Sequence, residues 1–332
     1  MKKILLIGTG GTIASRKTAS GLAPQLPVQE LLDYVPAARE ICRVEPLQLF
    51  SIDSTNIQPE NWLQLARAVR EHYAQYDGFV VCHGTDTMAY TAAALSYLIR
   101  DPDKPVVVTG AQKPIDADET DARVNLLDSL RWACTGIGGV CIVFGGQAIV
   151  GTRARKSRSK SYNAFSSINF PVLGVVRNGR VVPFFPSPRA QGPFFSDALD
   201  PRVSVLKLTP GMAPGTFSAV GDLCDALVVE SYGVGGIPAV YDAALARLHA
   251  AGKTVVVGTQ VPHEGSDLAV YQVGERARRR YALLETCDMT LESTVVKLMW
   301  VLAQTRVPAE IRRLFYTEVN HDILIQPVDD AL

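Results

Sequence analysis

Residues 77–110 read DGFVVCHGTDTMAYTAAALSYLIRDPDKPVVVTG. Asp77-Gly78 interrupts the chain, and the apolar run Phe79 to Cys82 that follows is short and continuous, which predicts a strand buried on both faces. DTMAYTAAALSYLI has helical character, and PVVVTG, from Pro105, is a second strand of the same kind. Strand, helix and strand in this order predict a βαβ unit. The same rhythm continues on both sides. KKILLIG at the N-terminus is a strand. PENWLQLARAVREHYAQ carries Trp62, Leu65, Ala66, Val69 and Tyr73 on one face, with Pro59 placed to open a helix. TDARVNLLDSLRWAC is a helix and GGVCIVF a strand. This alternation predicts a doubly wound, mostly parallel sheet covered by helices on both faces.

The rhythm breaks in PFFPSPRAQGPFFSDALDPRV, which holds five prolines and no helical period. Strands resume in VSVLKL, DALVVES and KTVVVGT, and LESTVVKLMWVLAQT predicts a helix from Leu291 to Thr305. The expected organisation is a larger N-terminal α/β domain over 1–184, a linker over 185–202 and a smaller C-terminal α/β domain over 203–332.

Composition limits the function classes. The 332 residues are 47% apolar and 20% charged with a formal net charge of zero, ordinary for a globular protein and without a global field for nucleic acid or an anionic membrane. No segment is apolar over the roughly 18 residues that span a bilayer, and the first apolar run is too short for a signal peptide. The six cysteines are scattered, several of them inside apolar stretches, as expected of reduced core residues in a cytosolic protein. The five histidines show no metal-ligand spacing.

The strand ends carry the chemistry. The first strand runs into GTGGTIAS, with glycines at 8, 10 and 11. A dinucleotide fingerprint requires a third glycine where Ile13 stands, and a phosphate loop requires a lysine that the turn lacks. A plain reading remains, in which the glycines make a tight turn and Thr12 caps a helix. In a doubly wound sheet, however, ligands bind beyond the carboxyl ends of the strands. Thr9 and Thr12 lie there. So do Asp53, Ser54 and Thr55 after LQLF, His83 to Asp86 after FVVC, and Gly110, Ala111 and Gln112 after PVVVT. Hydroxyls and carboxylates without a phosphate-cradling lysine or a metal-ligand cluster suit a small polar zwitterion and a hydroxyl nucleophile.

TGGTIA, followed about 75 residues later by HGTDTM, resembles the paired signature of the bacterial-type L-asparaginases. The resemblance continues through IDSTNIQPENW, VVTGAQKP, GTRARKSRSKSYNAFSSIN, ESYGVGG and the KLMW helix, and is nearest to the cytoplasmic type I branch. It implies hydrolysis of L-asparagine to L-aspartate and ammonia through a covalent acyl-threonine, with no metal or organic cofactor. Thr12 would be the nucleophile, working with Thr85, Asp86 and Lys156. Asp53, Ser54, Thr55, Thr85, Asp86 and the Ala111 carbonyl would hold the substrate. The small molecule is then the only partner besides further copies of the chain, as a homodimer or homotetramer, with no nucleic acid and no membrane.

The chemistry needs these residue types. A threonine hydroxyl requires a base within hydrogen-bond reach. A lysine can serve where burial and neighbouring cations disfavour its charge, and Arg153, Arg155 and Arg158 are near in sequence. Other readings stay open: Thr85 and Asp86 as a helix N-cap pair, Lys156 as part of a solvated basic face, Asp53 as a turn residue, and His83 as a packing residue rather than a proton shuttle. Family members commonly carry a tyrosine in the loop after TGGTIA; here residues 15–29 contain none, and Tyr34 is the nearest. Some type I members use a cysteine in an effector site where Val261 stands here. The segment 15–28, with Gly21, Pro24 and Pro27, is expected to act as a lid. The alternative functions are an ammonia-supplying subunit of a tRNA-dependent amidotransferase, which would normally have an extra N-terminal domain, and a non-catalytic amino-acid-binding module.

Overall fold

The structure, a computed structural model, describes residues 1–19, 21–186 and 192–327. It divides into two compact units, Met1–Asp197 and Ala198–Leu332. Part of the linker expected over 185–202, residues 187–191, lies outside the described residues. Beyond it Phe194–Phe195 pairs antiparallel with Ile99–Arg100, so this end of the proline-rich stretch is held by the first unit.

The first unit is built on an eight-stranded sheet. From one edge to the other the strands are Arg180–Pro183, Gly174–Arg177, Gln147–Val150, Gly139–Phe144, Pro105–Thr109, Gly78–Cys82, Lys3–Gly10 and Arg43–Ile52. The last five run parallel and the first three add antiparallel pairings. Ile4, Leu6, Ile7, Phe79 to Val81 and Val106 to Val108 are fully buried, which is why these strands read as unbroken apolar runs. The helix Met88–Leu98 buries ten of its eleven residues, and its alanines let it pack closely on its neighbours. Pro59–His72 instead buries the stripe Trp62, Leu65, Ala66, Ala68 and Val69. Pro59 stands at its first turn, and the Asn61 side chain accepts the Gln58 N–H at 2.9 Å.

The second unit has a four-stranded parallel sheet, Val203–Lys207, Ala226–Ser231, Thr254–Thr259 and Leu284–Glu285 in that order. The helix expected from Leu291 to Thr305 spans Leu291–Leu302, started by Thr290, whose hydroxyl accepts the Ser293 N–H at 3.1 Å. Its Lys297 is completely buried, 2.6 Å from the equally buried Asp322, and donates to the Thr317 carbonyl at 2.8 Å.

Candidate active site

The chain leaves the Lys3–Gly10 strand toward one neighbour, Arg43–Ile52, and then crosses to the other, Gly78–Cys82. The carboxyl ends of Lys3–Gly10 and Gly78–Cys82 therefore flank a topological switch point, where open parallel sheets form a crevice. Glycines let the turns close on each other there. Gly10, at φ +100°, lies against the Ile52 backbone. Gly11, at φ 76° and ψ −179°, occupies a region open almost only to glycine. A Cβ on Gly84 would lie 2.4 Å from Ser54 Oγ. The first and third strand-end turns and the Ser54–Asn56 turn are thus packed closely against one another.

Thr12 opens the short helical turn Thr12–Ala14 after Gly11, so it is a first-turn residue and not the cap. Thr12 is partly exposed, and its hydroxyl has no hydrogen-bond partner among the described residues. Thr85 and Asp86 do not cap the helix Met88–Leu98 either. Thr87 holds the cap position, and its hydroxyl donates to the Ser54 carbonyl at 2.8 Å. Freed from capping, Thr85 and Asp86 meet Lys156, from the Ala154–Lys156 strand that pairs with Phe165–Ser167. Lys156 Nζ donates to Thr85 Oγ1 at 2.8 Å and to Asp86 Oδ1 at 2.6 Å. Thr85 is buried and the Lys156 side chain is 17% exposed, while the Asp86 side chain remains 57% exposed. Lys156 is therefore part of a three-group contact and not of a solvated face.

Two of the three neighbouring cations, Arg153 and Arg158, are engaged elsewhere. Arg153 is fully buried with its guanidinium over the Phe170 ring, and Arg158 donates to the Asn163 carbonyl at 3.0 Å. The charged group bonded to Lys156 is an anion, Asp86.

Asp53 caps the Ser54–Asn56 turn, accepting both the N–H and the hydroxyl of Thr55 at 2.9 Å. Ser54 is buried beneath this turn, and Ala111 is buried after the Pro105–Thr109 strand. The expected lid is shorter than 15–28. Ser15–Thr18 and Gly21–Pro24 form an antiparallel pair, but Gln25 and Leu26 both donate to the Ala14 carbonyl, and Leu26 and Val28 are buried in the core. Apolar burial ends the mobile candidate at about Pro24.

A profile of the N-terminal asparaginase domain matches residues 3–188, and one of the glutaminase/asparaginase C-terminal domain matches residues 202–315. The chain belongs to the asparaginase family. It is 41% identical to the L-asparaginase of Thermococcus kodakarensis over 97% of this chain and 99% of that protein. It is 32% identical to L-asparaginase 1 of Escherichia coli, over 94% of this chain and 95% of that protein. A glutamyl-tRNA(Gln) amidotransferase component of Pyrococcus horikoshii is 34% identical over 96% of this chain and 76% of that protein. The solved Thermococcus kodakarensis L-asparaginase superposes with a TM-score of 0.92 at 40% identity, covering 98% of this chain and 100% of that one.

In this asparaginase-family site several contacts around Thr85 are not given by a motif reading. Gln112 accepts the Thr85 hydroxyl at 3.2 Å and donates to the Ser161 carbonyl at 3.1 Å, fastening Thr85 to the segment after Lys156. Asp121 accepts the Gln112 N–H at 3.0 Å, and Asn125 ties Asp121 to the Gly110 carbonyl. TDARVNLL reads as an ordinary helix start, so the only signal for Asp121 and Asn125 is polarity on positions that prove buried. His83 is fully buried, and burial pushes its imidazole down to about 4, which makes it neutral and unfit as a proton shuttle at neutral pH. Among the described residues no group of His, Cys, Asp and Glu could hold a metal ion, and no helix is long and apolar enough to cross a membrane.

Proposed function

We propose that this asparaginase-family chain hydrolyses L-asparagine to L-aspartate and ammonia, with Thr12 as nucleophile and Thr85, Asp86 and Lys156 as its working partners. The observation that carries this reading is the double contact of Lys156 with Thr85 at 2.8 Å and Asp86 at 2.6 Å, beside the turn that holds Thr12. Thr12 Oγ1 attacks the side-chain amide carbon. Backbone N–H groups of the glycine turn receive the oxyanion, a task worth about 3–4 kcal/mol per donor. The C–N bond breaks, ammonia leaves with the nucleophile's proton, and an acyl-threonine remains. A water held beside Thr85 then adds its oxygen to the acyl carbon, the ester bond to Thr12 breaks, and the water's proton passes by way of Thr85 to the departing Thr12 oxygen, releasing aspartate and restoring the threonine.

The half-exposed Asp86 carboxylate suits the substrate α-ammonium, and the Asp53–Thr55 turn and the Ala111 carbonyl supply polar groups for the rest of the amino acid. No step calls for a metal or an organic cofactor. The protein acts in the cytoplasm as a homodimer or homotetramer; exposed Val240, Val270, Tyr271 and Val273 provide apolar surface on the second unit for contact with another copy.

Against an amidotransferase role, three of the four arginines on the helix Gln272–Tyr281 are taken up by internal contacts. Arg278 and Arg279 pair with Glu275, and Arg280 pairs with Asp242. Steady-state ammonia release from free L-asparagine tests the proposal. No release above the uncatalysed rate at saturating asparagine would reject it in favour of an ammonia supplier or a binding module.

A further inference from the structure

The buried neighbourhood of His83 has a directional order that the hydrolytic mechanism does not use. His83 Nδ1 lies 2.6 Å from the Gly84 carbonyl oxygen, and Nε2 lies 2.9 Å from Thr91 Oγ1. Trp62 Nε1 donates to the same Thr91 oxygen at 2.9 Å. His83 and Thr91 are fully buried and Trp62 nearly so. A carbonyl only accepts, so the hydrogen on His83 is at Nδ1. The ring is neutral because burial depresses its basicity; the Gly84 carbonyl opposes this weakly, and no charged group contributes. Nε2 is then an acceptor. An indole only donates, so the Thr91 hydroxyl takes the Trp62 hydrogen bond and gives its own to Nε2. One arrangement satisfies every group: Trp62 to Thr91, Thr91 to His83, His83 to Gly84.

We propose that His83 is a positioning residue, which through this chain fixes the Gly84–Thr85 peptide and so aims the Thr85 hydroxyl at Lys156. The rest of the loop is already clamped. The His83 N–H donates to the Thr109 carbonyl at 2.8 Å, and the absent side chain of Gly110 leaves room for the His83 carbonyl. Gly84 Cα is pressed against Gly11 and Ser54. Rotation of the Gly84–Thr85 peptide plane is the freedom left, and glycine on one side makes that rotation easy. Holding the Gly84 oxygen inward directs the Thr85 N–H to the opposite side, since the peptide is trans. A ring that has lost its Nε2 partner can turn, and the Gly84 oxygen is then released. A misaimed Thr85 weakens proton transfer more than substrate binding.

The inference rests on the proposed role of Thr85, and the experiment separates the two. In the intact protein, ¹⁵N spectra of the imidazole should show His83 protonated at Nδ1, bare at Nε2, and not titrating between pH 8 and 5. With asparagine, Thr91→Val should lower kcat about tenfold or more while KM stays within about threefold, and Thr91→Ser should restore kcat. Ser129→Ala, which removes an equally buried hydroxyl bonded within its own helix, should leave both constants near the parental values. Parental kcat in Thr91→Val, an Nε2-protonated ring, or a midpoint near 6.5 would overturn the proposal. A parent that releases no ammonia would overturn the functional reading instead, and the ring spectra still decide the hydrogen-bond chain in that sample.

Discussion

Gly11 and Gly84 touch backbone to backbone: a Cβ on Gly11 would lie 2.3 Å from both Cα and N of Gly84. The turn that carries Thr12 and the loop that carries Thr85 are held together by the absence of two side chains. Gly11→Ala must therefore open the site. Overpacking costs roughly 1–3 kcal/mol and the forbidden backbone region about 1–3 kcal/mol more. The expected outcome is a drop in stability of that order together with near-complete loss of turnover. A variant as active as the parent would show that the two turns need not touch.

Thr12→Ala and Thr85→Val should fold normally and each lose at least about 3 kcal/mol of transition-state stabilisation, read as kcat/KM. Lys156→Met should be equally damaging, whereas Lys160→Met, four residues on in the same basic run, should be mild. Equal damage from the two lysine variants would return Lys156 to an ordinary surface role.

The pair Ser15–Thr18 and Gly21–Pro24 lies between the nucleophile and a buried anchor at Leu26. Amide exchange at residues 16–18 and 22–23 is expected to be fast without ligand and slow with saturating aspartate, while Leu26 and Val28 stay protected in both states. Slow exchange in the free protein would make this hairpin a fixed wall of the site.

His83 also sets an acid limit. Its folded value is about 4 against an ordinary 6.5. Above pH 6.5 neither folded nor unfolded His83 binds a proton. As pH falls from 6.5 toward 4, only the unfolded chain does, so stability is lost across this window, by about 3 kcal/mol in all. Glu275, held down to about 2 by Arg278, adds its own loss below the ordinary glutamate range. Urea denaturation at pH 7 and pH 4.5 measures the difference. A stability unchanged between them would mean that the imidazole is not kept neutral.

Lys297→Met would leave the Asp322 carboxylate buried without its cation. Removing one partner of a buried pair costs roughly 3–5 kcal/mol, so a large fall in unfolding free energy is expected. A loss below about 1 kcal/mol would mean that water reaches Asp322.

The architecture is legible because parallel strands buried on both faces leave unbroken runs such as FVVC and PVVV. The strand-end rule then locates Thr12, Thr85 and Asp86 just beyond such runs, and Asp53 just beyond the partly exposed edge strand Arg43–Ile52. Lys156 has no such rule: its strand is three residues long, and 70 positions separate it from Asp86. Only the resemblance singles it out. Gln112, Asp121, Asn125 and the Trp62–Thr91–His83 chain act through geometry between distant segments, which periodicity does not encode. Lys297 interrupts the apolar stretch Val295–Leu302 of its helix, and its partner lies beyond the next helix and leaves no trace in the local pattern.

The position of the first strand in the sheet has a consequence for biosynthesis. Ile4 pairs with Val44 on one side and Gly78 on the other, so Lys3–Gly10 is an interior strand whose second flank is synthesised some seventy residues after it. At about 5–20 residues per second, that is several seconds during which an apolar edge waits for its neighbour. Nascent chains stalled before Gly78 should accordingly be captured by chaperones or aggregate, and release of this hazard should coincide with emergence of the Gly78–Cys82 strand from the exit tunnel.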